Sequence, residues 1–181
     1  MTARLRWLAA SAGLMSALCL LGGCYESDVE LLAQGDSADI AGRHACELLI
    51  GDRGPFELVI AAVDGGAYRF IGPDVTGTVR LKKLQGGRYL LQLSDDEKAG
   101  TWYYAYGEPS GDGGIHALYP KRENTALSAA VMQKYAIRFL DVMDREAPTG
   151  SAIKGNPEYL RQFLADPAAH ELDPWFTCKK S

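Results

Sequence analysis

The chain has 181 residues, with 23 acidic against 19 basic side chains and a formal net charge of −4. That length suits one ordinary domain, and the acidic balance excludes a nucleic-acid surface, which needs Lys and Arg clustered over phosphates. No apolar run reaches the roughly 20 residues a helix needs to cross a bilayer.

In chain order, Arg4 and Arg6 form a short positive segment, and residues 7–21 that follow are apolar or small and uncharged. This run has the length and flanks of a signal-peptide core. It ends in Leu21-Gly22-Gly23-Cys24. Leucine, two small residues and a cysteine in that order resemble the lipobox of bacterial lipoproteins. The resemblance implies cleavage before Cys24, acylation of its thiol, and attachment to a membrane through that residue. Lipid arithmetic supports firm attachment, because one acyl chain holds marginally and two or more hold stably. Removal of residues 1–23 takes away two arginines and no acid, leaving 158 residues at −6. Tyr25, not aspartate, follows the cysteine. In a Gram-negative cell the expected address is therefore the outer membrane, facing the periplasm.

Residues 24–39 mix Glu26, Asp28, Glu30, Asp36 and Asp39 with Ser and Gly, and read as a lipidated tether. Residues 40–181 are then expected as a single globular domain. Short β-capable runs at 44–50, 56–63, 67–71, 76–84, 88–93, 101–106 and 115–119 are separated by Gly, Pro and Asp clusters. Tyr68 and Phe70, Val79 and Leu81, and Tyr89, Leu91 and Leu93 each fall on one face of their run. Gly86 and Gly87 suit a tight hairpin, since glycine reaches positive φ without steric cost. From 125 to about 147 the period changes. Leu127, Val131, Tyr135, Phe139, Val142 and Met143 recur at steps of three and four, which predicts one long amphipathic helix capped by Asn124 or Thr125 and stopped at 148–150. Asn156 and Pro157 predict the start of a short second helix. The expected fold class is α+β: an antiparallel meander or small barrel of six to seven short strands, then a long and a short helix.

Once Cys19 leaves with the leader and Cys24 takes lipid, Cys46 and Cys178 remain. In a compartment that permits disulfides they are expected to pair, joining the first strand of the domain to its last segment. Trp102, Tyr104 and Tyr106 share one strand face. Such a row is either core or a surface for a glycan, peptide or lipid. The loop 107–114 has too few carboxylates for calcium and no Gly-Lys-Ser/Thr for phosphate. His44, His116 and His170 show neither metal-ligand spacing nor a nucleophile motif beside them. No metal, cofactor or enzymatic chemistry is expected. The leading expectation is a non-enzymatic envelope module, held to the membrane through Cys24, that binds an envelope protein, glycan or lipid. The alternatives are an inhibitor of a secreted hydrolase, similar in architecture to the small β-barrel lipoproteins that inhibit lysozyme, and a lipid carrier of lipocalin type.

Overall fold

The computed structural model describes residues 24–49, 54–73, 75–121, 125–144 and 147–181, with backbone alone for 125–128, 141–144 and 147–150. Residues 1–23, the turn residues 50–53, Asp74, the cap candidate Asn124 and the side chains of Thr125, Leu127, Val142 and Met143 lie outside the described residues.

The described strands are β1 (Tyr25–Ser27), β2 (Gly42–Leu48), β3 (Phe56–Val63), β4 (Ala67–Ile71), β5 (Thr76–Lys83), β6 (Tyr89–Asp95), β7 (Trp102–Pro109), β8 (Ile115–Pro120), β9 (Arg138–Asp144), β10 (Ala147–Lys154) and β11 (Leu172–Lys180). The helices are α1 (Thr125–Tyr135) and α2 (Pro157–Ala165). From β2 to β8 each strand pairs antiparallel with the next, and β11 lies between β8 and β2. These eight strands close into an up-and-down barrel, which leaves none of them with an unpaired edge along the whole circuit. Strands β1, β10 and β9 form a flap on the outside. β1 pairs antiparallel with β7 and parallel with β10, and β10 pairs antiparallel with β9.

The architecture corrects the α+β expectation of six to seven strands and a long helix, because the chain is mostly β. The long helix stops at Tyr135, where Ala136 takes a φ of +50°, and the chain runs on as β9. The expected stop at 148–150 is instead part of β10. A step of four residues satisfies both the helical period and the strand period of two, so Val131, Tyr135 and Phe139 cannot separate them. What favours the strand is Phe139 alternating with Arg138 and Leu140 along the ladder with β10, which continues the alternation begun by the buried, β-branched Ile137 just before it. Within α2 the Asn156 side chain accepts from the Glu158 N–H at 2.9 Å, Pro157 opens the first turn, and Leu160, Phe163 and Leu164 are buried.

The expected tether is also corrected. Tyr25, Leu31, Leu32 and Ile40 are buried, and the segment wraps the barrel. Leu31 and Leu32 N–H groups donate to Gln92 Oε1 at 2.8 and 2.7 Å, and the Gln92 amide donates back to the Leu32 carbonyl at 3.1 Å. The Tyr104 hydroxyl donates to the Val29 carbonyl at 2.6 Å and accepts from the Leu31 N–H at 3.1 Å. The acids that suggested a solvated spacer have partners: Glu30 with Arg80 at 2.5 Å, Asp36 with Lys82 at 3.3 Å and Asp39 with Lys180 at 3.0 Å. Gly35 lies so close to the β3–β4 turn that a Cβ on it would meet the Gly66 carbonyl oxygen at 2.2 Å, so only glycine admits this approach.

Two apolar clusters result. Inside the barrel are Leu48, Ile60, Phe70, Val79, Leu81, Leu91, Tyr103, Ala105 and Ala117, with Cys24 and Ile40 from the N-terminal segment. Outside it, Tyr104 and Tyr106 of β7 pack with Tyr25, Tyr135, Ile153, Leu160, Phe163 and Leu164 beneath the flap and helices. Strand β7 is thus buried on both faces.

A half-buried histidine ties the outer cluster together. His170 Nε2 lies 2.9 Å from the Phe163 carbonyl and 2.7 Å from the Tyr106 hydroxyl, and Nδ1 lies 3.3 Å from the Tyr25 hydroxyl. A carbonyl only accepts, so Nε2 carries the proton and Nδ1 accepts from Tyr25. Burial of the ring pushes the His170 pKa from 6.5 down to about 4. The unfolded chain therefore takes up a proton that the folded one refuses. The stability this group contributes is complete above pH 6.5 and is lost as the pH falls toward 4, to a total of about 3 kcal/mol. Urea midpoints at pH 7.5 and 4.5 should differ accordingly, and His170→Gln should remove that part of the difference. An unchanged pH response in the variant would refute the assignment.

Candidate functional site

Eight strands leave an interior that side chains can fill or that can hold one small ligand. Here they do not fill it. A cavity of about 120 Å³ runs through the barrel, between Phe56, Leu58, Phe70 and Val75 of one region and Tyr89, Leu91, Ala117 and Ile115 of another, with Trp175 and Phe176 from β11. Its surface is wholly apolar. An apolar cavity of roughly 150 Å³ stays dry and binds benzene, so this one is of a size for a single small apolar group.

The face parity of the strands builds it. Tyr68 and Phe70, Val79 and Leu81, and Tyr89, Leu91 and Leu93 belong to the interior cluster or pack against it. One end of the barrel is crossed by the N-terminal segment. The β3–β4 and β5–β6 turns, the start of β2 and the end of β11 share that end by antiparallel order, and residues 35–40 touch all four places. Gly35 N–H donates to the Gly65 carbonyl at 3.3 Å, and Asp36 N–H donates to the Leu81 carbonyl at 2.7 Å. The Tyr68 hydroxyl reaches up from inside, donating to the Ala38 carbonyl and accepting from the Ala38 N–H, each at 2.7 Å. Ala38 and Ile40 line the cavity from this cap.

The wall also contains Cys24, which is 5 % exposed. Tyr25 pairs with Tyr104, so Cys24 comes level with Ala105 and shares its interior side. The lipidation candidate and the cavity thus meet at one place.

Cys46 and Cys178 are bonded to each other, as cross-strand partners in the β2–β11 ladder. Trp102, Tyr104 and Tyr106 stand outside the barrel on β7. Tyr104 is 0 % and Tyr106 2 % exposed, Trp102 is partly buried, and all three pack in the outer cluster away from the cavity wall. Burial raises the phenol pKa of Tyr104 and Tyr106. The histidines are dispersed. His44 points into the barrel, with Nε2 2.8 Å from the Ile40 carbonyl, His170 is under the flap, and His116 is exposed beside Thr177. Among the described residues no three His, Cys, Asp or Glu side chains converge on a position that could hold a metal ion.

Sequence reasoning did not find the cavity. The alternation assigns residues to a common face, yet only closure of the barrel turns that face into an interior. The signal that was available lies in the small residues Ala105, Gly107 and Ala117, which line up on the inner side of β7 and β8 and leave room there.

No family model matches the chain, and neither does any curated protein or any solved structure.

Proposed function

We propose that this protein is a binding protein for a small apolar molecule, held in the cell envelope through Cys24. The wholly apolar cavity inside the closed barrel carries the binding half of this reading. A cavity whose exposed surface is apolar selects its ligand by shape and burial, with a free energy that scales with the apolar area removed from water. The arrangement is similar to a carrier of lipocalin type, in which an eight-stranded barrel encloses one ligand. The envelope half rests on Leu21-Gly22-Gly23-Cys24, and a disulfide at Cys46–Cys178 suits such a compartment.

The experiment is a calorimetric titration of the unlipidated Cys24→Ser chain with benzene, a ligand of the cavity's size. Saturable heat at one benzene per chain is expected. Ala117→Phe, which adds a ring to the cavity wall, should weaken binding at least tenfold while the circular dichroism spectrum is retained. Linear, unsaturable heat, or equal binding by the filled variant, would refute the reading.

A further inference from the structure

We propose that the cavity's ligand is a small alcohol or phenol, and that its hydroxyl donates a hydrogen bond to Nδ1 of His44. This inference rests on the binding function proposed above and names the ligand class and the one polar group that selects it.

His44 is 0 % exposed, and its Nδ1 has no hydrogen-bond partner, alone among the buried side-chain nitrogen and oxygen atoms of the described residues. The other ring nitrogen fixes the role of this one. Nε2 lies 2.8 Å from the Ile40 carbonyl, and a carbonyl only accepts, so the proton of the neutral ring is on Nε2. Nδ1 is then an acceptor lone pair, and its partner must donate. Buried polar groups are nearly always paired, because an unpaired one loses its water without compensation.

The place of the ring ties it to the cavity. His44 alternates with exposed neighbours along β2 and shares its side with Leu48 of the interior cluster. Leu58 is directly opposite on β3, and Phe56 and Ile60 are the next residues of that strand on the same face. All three line the cavity, as does Ile40, whose carbonyl the ring holds. Side chains directly opposed on a ladder start about 5 Å apart, and diagonal ones about 7–8 Å. The lone pair therefore stands one side chain behind a cavity surface that is itself apolar. A ligand that turns the Ile40 or Leu58 side chain aside brings its hydroxyl to Nδ1 and leaves its hydrocarbon against the apolar walls.

Size and charge narrow the class. A cavity of about 120 Å³ is close to the roughly 150 Å³ that takes benzene, so it admits one ring or a short branched chain. A carboxylate has only acceptors to set against a lone pair, and an ammonium would need a buried counter-charge to offset its lost hydration. A hydroxyl is neutral and donates.

Phenol and benzene should be titrated calorimetrically at pH 8 into the Cys24→Ala chain, a substitution that adds no hydroxyl to the wall. An entirely apolar site binds phenol more weakly than benzene, since the phenol hydroxyl loses its water uncompensated. Here phenol is expected to bind at least as tightly as benzene. His44→Phe should weaken phenol at least tenfold and change benzene less than threefold. With isotope-labelled histidine, phenol should move the Nδ1 resonance of His44 and benzene should not. That measurement is made on the unaltered ring and decides the matter even where His44→Phe fails to fold. Benzene binding with phenol at least tenfold weaker overturns the inference and leaves the binding function standing. A Nδ1 resonance that phenol leaves in place also overturns it, and marks an internal water as the ring's partner if it already lies at the hydrogen-bonded position. Failure of both probes to bind overturns the binding function together with the inference.

Discussion

Replacing Cys46 and Cys178 together by alanine should lower the unfolding free energy by about 5 kcal/mol. The bridge spans a sequence separation of 132, and in the chain-entropy model a loop of that size restricts the unfolded ensemble by about that amount. The position of the bridge adds to the effect. β11 is the last strand of the barrel and β2 the first, and Cys46 and Cys178 are directly opposed in the ladder that closes the circuit. Both cysteines are buried, so the alanine pair also leaves space where the sulfur atoms pack. Against the roughly 5–15 kcal/mol of a typical domain, this is a large share. Urea unfolding of the two proteins, oxidised and with circular dichroism as probe, measures it directly. A loss below about 1 kcal/mol would mean that the β2–β11 ladder closes the barrel without covalent help.

Phe163→Ala should cost about 3–5 kcal/mol, the range for an aromatic side chain truncated in a core. Phe163 is 0 % exposed and is the hub of the outer cluster. Its ring centroid lies 4.7 Å from His170, 5.2 Å from Tyr25, 5.7 Å from Phe139 and 5.9 Å from Tyr135. Those partners come from the β11 approach, β1, β9 and α1, so one side chain joins four separate pieces of chain to α2. Because Tyr104 and Tyr106 of β7 belong to the same cluster, the loss should be felt in the barrel as well. One cooperative transition, shifted for near-ultraviolet and far-ultraviolet signals alike, is expected. Two transitions in the variant, with the barrel signal unmoved, would make the flap and helices an independent unit.

Much of the barrel was legible because its strands obey the simplest rule available. From Phe56 to Tyr119 one face of most strands looks into the barrel, and side chains alternate with a period of two, interrupted by Gly, Pro and Asp at the turns. The pairs Tyr68 and Phe70, and Val79 and Leu81, declare their common face without any tertiary information. Asn156 and Pro157 likewise mark the start of α2, since a cap and a first-turn proline act within four residues of chain. Cys46 and Cys178 were matched by elimination.

Other features were decided at long range. Tyr104 and Tyr106 share a face, but whether that face is solvent or core depends on the flap, whose strands β9 and β10 lie more than thirty residues further along. The segment 24–39 is polar in composition, and composition alone reads as a spacer. What folds it is Gln92, about sixty residues away, whose amide meets two backbone N–H groups and a carbonyl that would otherwise lose their water unpaired. The helix that became α1 and β9 turned on four-residue steps that fit either period, and the pairing of β9 with β10 resolved it. By itself the sequence determined local alternation, turn positions, the charge balance and the lipobox resemblance, because each depends on residues near one another in the chain. Only the tertiary structure decided which faces are inside, that the barrel closes on β11, that a cavity remains, and that Cys24 lies in its wall, because each of these depends on which distant strand comes to lie alongside.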